Sequence, residues 1–363
     1  MTRRSFLECL AGTALLPTAA CVSEPSGRGS SARALRAAEE ARQQLAYRLW
    51  GGCAFCSTGD PEVMTFGTRL HAPTAEEPLK PDALFDLMSV TKTFVALVCA
   101  QLVEEGLLDP DAPFTKYIPE HVLGKSCEIT VRDLATHSGG FDDSRPYMKQ
   151  KDYLAGLWSK RPVWKRRERF CYACSNLIYL GHIAERLTGK RLDDLCRERV
   201  FEPLGMKDTR WWPLPEELRP RAVQIMYDRK LIGLTQDGTC RRYGKPQGNA
   251  GAFSTASDML RYVTDLLHRA TFKPSVYDLL FTPTFEHKTG RRSFGWDMTP
   301  DKMPQGWSDA TILHSGFSGQ TVAIDPRDDF AGVVLTSRTA GHETGCICRR
   351  RILTLLKGAD LLS

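Results

Sequence analysis

Ser89 and Lys92 stand three residues apart in FDLMSVTKTFVALVCAQLVEEGLLD, the stretch from Phe85 to Asp109, and form the one Ser-x-x-Lys in the chain. A serine hydroxyl beside a lysine amine is a nucleophile paired with its base. Residues three apart on a helix share one face, so both groups point into the same cleft. A helix N-terminus favours negative charge developing beside it, and a lysine buried among cationic or apolar groups loses its proton more readily, so Lys92 could take the serine proton. The pattern alone equally fits an N-cap serine followed by a solvated lysine. It is expected about once by chance in a chain of ordinary composition and this length. Its weight therefore depends on what surrounds it.

The surrounding periodicity predicts a long helix. Phe94, Leu97, Val98, Leu102 and Val103 recur at helical spacing, with Gly106 and Pro110 closing the run. Upstream, Leu35, Ala38, Ala41 and Leu45 predict a helix from about Ala32 to Leu49. Two strands follow, around Gly52 to Cys56 and Val63 to Thr68, joined by a turn at Gly59-Asp60-Pro61. From about Asp109 to Gly248 the chain reads as helices and loops. Strand patterns return at Ser293 to Met298, Thr311 to His314, Gln320 to Asp325 and Ala331 to Ser337, before a terminal helix from about Cys346 to Leu362. Strands at both ends with helices between them predict an α+β fold: one antiparallel sheet built from distant segments, flanked by helices, with an inserted helical lobe at about 109–248.

The 363 residues, 42% of them apolar, suffice for a large core, and the net charge of +6 is modest. The basic clusters at Lys165 to Arg169 and Arg349 to Arg351 lack aromatic interleaving, so they read as solvated faces and no nucleic-acid partner is expected. Arg3 and Arg4 precede Phe6, Leu7 and a short apolar stretch in TRRSFLECLAGTALLPTAAC, which resembles a twin-arginine export signal over residues 1–20. An ordinary secretory signal also starts with positive charge. Thr18, Ala19 and Ala20 before Cys21 resemble a lipoprotein cleavage box, with Thr where Leu is usual. Residues 21–31 then form a polar tether, and 32–363 the folded domain. The expected location is exported, either periplasmic or anchored to the membrane through Cys21.

Twelve cysteines include two Cys-x-x-Cys pairs, Cys53/Cys56 and Cys171/Cys174. Zinc ligation, a disulfide and plain buried thiols are all open readings. Cys53 lies in an expected buried strand, where cysteine behaves as a small apolar residue, so buried thiols are favoured and no metal is expected.

Four further motifs occur in order: ITVRDLATHSGGF (Ile129 to Phe141), LGHIAERLTGKRLDDLCRERVFEPLGMKDTRW (Leu180 to Trp211), GNAGAFSTASDM (Gly248 to Met259) and HSGFSGQTVAIDP (His314 to Pro326). With Ser89 and Lys92 they resemble the serine β-lactamase and penicillin-binding-protein superfamily, in the branch of class C-like enzymes and family VIII carboxylesterases. The resemblance runs from about Leu49 to Leu356, and several motifs in order are far more specific than one. No Gly-x-Ser-x-Gly elbow and no His-Glu-x-x-His metal motif occurs.

The resemblance implies a second motif, Tyr-x-Asn, and the matching stretch is FCYACSNLIYLG (Phe170 to Gly181). Asn176 fits, but Cys174 holds the position two before it, and the nearest tyrosine is Tyr172. A cysteine sulfur there would stop roughly 4 Å short of a phenol oxygen. A water filling the gap, Tyr172 swinging in, the Cys174 thiolate taking part, or Lys92 acting alone all remain open. The third motif is Lys-Thr-Gly in β-lactamases and His314-Ser315-Gly316 here, with His137-Ser138-Gly139 matching a different, structural segment. The resemblance implies that His314 orients the acyl group or carboxylate, making anion binding pH-dependent near about 6.5. Ser315 and Gly316 would line the substrate strand, Gly316 leaving room for substrate, and the Ser89 and Phe317 N–H groups would form the oxyanion hole. The expected protein is a secreted serine hydrolase working through an acyl-enzyme on esters or amides, including D-amino-acid peptides related to the cell wall, with no cofactor. β-Lactam hydrolysis is less favoured without the Lys-Thr-Gly cation. The rival reading is a penicillin-binding-like binding or sensing protein that acylates slowly or not at all.

Overall fold

Strands from the two ends of the chain meet side by side in the computed structural model, which describes residues 31–47, 50–70, 77–224, 229–338 and 342–361. The export-signal and lipobox readings fall outside these residues, as does nearly all of the tether. Helix α1 (Ala32–Ala46) is capped by the Ser31 hydroxyl, which accepts the Ala34 N–H, and it ends three residues short of the expected Leu49. Strands β1 (Trp50–Ser57), β2 (Met64–Leu70) and β3 (Glu77–Pro78) follow. Near the other end come β7 (Phe285–His287), β8 (Gly290–Ser293), β9 (Trp296–Asp297), β10 (Ile312–Ser315), β11 (Thr321–Asp325), β12 (Phe330–Arg338) and a last helix at His342–Leu356. All lie in one antiparallel sheet, ordered β3-β2-β1-β12-β11-β10-β9-β8-β7. Phe55 faces Val334 across the β1–β12 seam that joins the two ends.

Side chains alternate across this sheet, as a period of two requires. Cys53, Phe55, Ala323 and Val334 face one side, where they pack with Ala34, Ala37 and Ala41 of α1 and Ile352 and Leu353 of the last helix. Ala54, Cys56, Val322, Ile324, Val333 and Leu335 face the other, larger core. At its centre runs α2 (Thr91–Glu104), in which every residue from Thr91 to Ala100 is buried. A helix apolar all round belongs in an interior, and its Phe94 ring meets Phe201 and Tyr262 edge-on.

The expected strand at Ser293 to Met298 is instead two short strands, β8 and β9, around a tight turn. Gly295 takes φ 86°, and a Cβ there would lie 2.3 Å from the Ala96 Cβ, so only glycine lets this hairpin sit against α2. In sequence, between the two sets of strands, come the helices of the lobe: α3 (Val131–Ala135), α4 (Tyr153–Trp158), α5 (Cys174–Thr188), α6 (Leu192–Cys196) and α7 (Gly238–Tyr243). A second, small sheet joins β4 (Phe85–Asp86), β6 (Ala252–Ser254) and β5 (Arg210–Trp211). It leads directly into Ser89. Among the described residues no helix is long and apolar enough to cross a membrane. Nine cysteines within these residues are free thiols, Cys171 half-buried and the other eight buried.

Candidate active site

Ser89 sits on a strained turn. Met88 takes φ 48°, the left-handed region that side chains disfavour, and passes into a short 3₁₀ turn (Met88–Val90) that continues as α2. Asp86 holds this conformation: its Oδ1 accepts the Met88 N–H at 2.9 Å, and its Oδ2 accepts the Gln236 N–H at 2.8 Å and the Thr235 hydroxyl at 3.1 Å. Burial pushes the Asp86 carboxyl up to about 6 despite these donors. The Leu87 N–H donates to the Ala252 carbonyl, so the turn is also hung on β6.

Gly316, expected to leave room for substrate, lines the cleft and also lies against the turn. A Cβ on it would lie 2.7 Å from the Leu87 carbonyl oxygen and 3.2 Å from the Met88 Cβ. Gly316→Ala is therefore expected to displace the serine turn, costing about 1–3 kcal/mol of stability and most of the turnover. Thermal unfolding and a steady-state assay check both.

Four groups converge around Ser89. Its Oγ accepts from Lys92 Nζ at 2.9 Å, and Tyr172 donates its hydroxyl to the same Oγ at 2.8 Å. Lys92 Nζ also donates to the Asn249 carbonyl at 2.7 Å and lies 3.8 Å from Cys174 Sγ. Burial pulls Lys92 down, yet the ionisable Cys174 and Tyr172 facing it, with Asp237, hold it above the ordinary lysine value. Burial pushes the Tyr172 phenol up, and the Lys92 charge only partly offsets that. The expectation that burial would bring Lys92 toward neutrality does not match this surround: the groups nearest its amine are acids, not cations.

Tyr172 and Cys174 thus point into the site from the segment leading into α5, while Asn176 turns away. Asn176 Nδ2 donates to His137 Nδ1 at 3.0 Å, and Asn176 is fully buried. Cys174, the first residue of α5, gives its N–H to Asp143 Oδ1 at 2.8 Å, and its sulfur accepts from Arg145 Nη2 at 3.3 Å. Burial pushes its thiol up, against the pull of Lys92 and Arg145. In this geometry the phenol reaching the serine belongs to Tyr172, and the residue two further on, facing the lysine, is Cys174.

Ser89 opens into a cleft of about 590 Å³ lined by Tyr172, Cys174, His314, Ser315, Gly316 and Phe317, among others. His314 Nδ1 lies 3.2 Å from the Ser315 carbonyl, which can only accept, so Nδ1 carries the proton and Nε2 keeps a lone pair. Burial, reinforced by Arg292 and Lys92, brings His314 down to about 3. Against the expected protonation near 6.5, burial first and the nearby Arg292 and Lys92 charges second hold the ring toward its neutral form. One of those cations, Arg292, lines the same cleft. It is 2% exposed, pairs through Nη1 with Asp297 at 2.8 Å, and leaves Nε and Nη2 buried with no protein partner. Lys302 pairs with Asp297 at 3.0 Å; burial alone would raise that carboxyl, but the two cations hold it down to about 2.

Sequence reading did not single out Asp86, Asn249, Arg145 or Arg292. Asn249 lay inside a quoted motif but acts through its backbone. Arg292 had no signal, since it reaches the cleft from a strand that periodicity merged with its neighbour.

Comparison with known proteins accords with this geometry. Residues 41–357 match the family described as Beta-lactamase. A putative D-alanyl-D-alanine carboxypeptidase of Escherichia coli K12 is 26% identical over 316 residues, covering 72% of this chain and 71% of that protein. An N-acetylmuramyl-L-alanine amidase of Bacillus subtilis 168 is 26% identical over 313 residues, covering 72% and 69%. Among solved structures, EstCE1, a hydrolase with promiscuous acyltransferase activity, superposes with a TM-score of 0.74 at 18% identity over 90% of this chain and 97% of that one. With the family matched across most of its length and the fold shared, the chain belongs to the beta-lactamase family, within the β-lactamase/transpeptidase-like superfamily of serine hydrolases.

Proposed function

We propose that this protein is an exported serine hydrolase that cleaves an ester or amide through an acyl-enzyme on Ser89, with carboxylate-bearing peptides of the D-amino-acid type as its favoured substrates. The observation that carries the reading is the double hydrogen bond to Ser89 Oγ, from Lys92 and from Tyr172. In the first step the Ser89 oxygen bonds to the substrate carbonyl carbon while its proton passes to the Lys92–Tyr172 pair. The Ser89 and Phe317 N–H groups stabilise the oxyanion. The pair then returns the proton to the leaving amine or alkoxide as its bond to carbon breaks. Water attacks the acyl-enzyme in the second half, giving its proton to the same pair, which returns it to the Ser89 oxygen as the ester bond breaks and the acid leaves.

Tyr172 is the shuttle in this reading, and Cys174 shapes the Lys92 pocket as an uncharged thiol. Arg292 supports the substrate class through the positive charge it brings to the cleft wall. A D-alanyl-D-alanine carboxypeptidase among the relatives points the same way. The N-terminal residues support export, with tethering through Cys21 or release as its two forms; recovery of the uncleaved chain from cytoplasm would sink that part.

The test of the reading is covalent. Intact mass after fluorophosphonate treatment should show one adduct, mapped to Ser89 and absent from Ser89→Ala. A wild-type protein that stays unlabelled at neutral and alkaline pH would overturn catalysis and favour a binding protein.

A further inference from the structure

His137 does not touch Ser89 and does not line the cleft, yet it holds the tyrosine segment at every point. Its ring stacks on the Tyr172 ring, with centroids 4.6 Å apart and planes 30° from parallel. Its carbonyl accepts the Cys171 N–H at 2.9 Å, and its Nδ1 accepts the Ala173 N–H at 3.3 Å and the Asn176 amide at 3.0 Å. The residues on both sides of Tyr172 are thus bound to His137, Cys171 through its carbonyl and Ala173 through its imidazole. Residues 170–173 have no regular structure of their own, so no ladder or helix fixes the phenol.

The histidine itself is placed at a cost. It sits just past α3 at φ 54°, a conformation rare for a residue with a Cβ. The preceding helix is anchored by a capping box, in which Thr130 Oγ1 accepts the Asp133 N–H and the Asp133 carboxylate accepts the Thr130 N–H. A strained backbone held by its surroundings is the pattern found where geometry matters to function. Because Nδ1 accepts from a backbone N–H, the ring proton is on Nε2 and the tautomer is fixed. Asn176 has no other polar contact through its side chain, since its Oδ1 is buried without a partner.

We propose that His137, latched by Asn176, is a positioning residue that sets the angle of the Tyr172 ring and so aims its hydroxyl at Ser89. This rests on Tyr172 being the proton shuttle. The Lys92 ammonium lies 5.1 Å from the centroid of the same ring, so the phenol works between a cation and a neutral imidazole. Losing the stack frees the ring to rotate and lengthens the 2.8 Å contact on which proton transfer depends.

The experiment is a double-mutant cycle on a soluble ester. His137→Asn keeps a residue that tolerates the left-handed backbone, and Asn176→Ala removes the latch without touching that backbone. Each is expected to lower kcat about 10- to 100-fold with KM changed less than about 2-fold. Placed on Tyr172→Phe, neither should lower kcat further, since the group they aim is gone. His137→Phe, which restores a flat ring, should recover part of the loss. Losses that add in full on the Tyr172→Phe background, or no loss in either single variant, would overturn the positioning role. Should Tyr172→Phe itself keep full turnover, the shuttle assignment fails first, and that result is read separately.

Discussion

Tyr172→Phe is expected to lower kcat by about 10²- to 10⁴-fold while leaving KM and the fold nearly unchanged, because it deletes one oxygen from a half-buried ring whose packing phenylalanine preserves. The direction of the shifts adds a pH signature. Lys92 and Tyr172 both hold their protons above their ordinary values, so the pair becomes a base only as pH rises. Wild-type kcat/KM should therefore climb between about pH 7 and about pH 10, and Tyr172→Phe should flatten that climb. Cys174→Ser should fall within a few-fold of wild type, since its sulfur stands 3.8 Å from Lys92 and its proton is held by burial. The reverse pattern, with Cys174→Ser dead and Tyr172→Phe active, would assign the shuttle to the thiol.

The second large effect is expected at Arg292. Arg292→Gln should raise KM about 10- to 100-fold for a substrate ending in a carboxylate, through loss of the positive charge at the cleft wall. Turnover of a neutral ester, measured in parallel, should change little and reports that the fold has survived losing the pair with Asp297, which keeps Lys302 as partner. Between about pH 5 and about pH 8 the wild-type KM for the anionic substrate should stay flat, because Arg292 is permanently charged and His314, at about 3, is neutral throughout. The linkage sign for stability follows. A histidine depressed in the fold contributes stability fully above its unfolded value, and that contribution is lost as pH falls toward about 3. An inflection in KM near pH 6.5 would restore His314 as the anion site.

The two periodicities made the sheet and the central helix legible, with the Ser89–Lys92 pair on its leading turn. Ser-x-x-Lys is local, and one turn of helix delivers the 2.9 Å contact directly. What stayed hidden depends on long-range placement. Whether Tyr172 or Cys174 meets the serine turns on where α5 begins, and its first residue is Cys174 with no side-chain cap to mark it. A two-residue ambiguity there rotates Asn176 from the lysine to His137. The charge state of His314 was equally out of reach, since the cation that depresses it arrives from β8, and the Gly295 turn separating β8 from β9 leaves no break in apolar alternation.

The seam between β1 and β12 has a further consequence for how this molecule comes into being. Phe55 cannot find Val334 until synthesis has passed β12, so the sheet closes only after the lobe between its strands has been made. Until then β1, β2 and the short β3 form a ribbon whose β1 edge stands open. The catalytic turn is suspended between the two halves, leaning on β6 and on the glycine that follows β10, so an unfinished chain holds the nucleophile without its frame. On the proposed serine chemistry, a copy cut short before β12 is expected to be inactive.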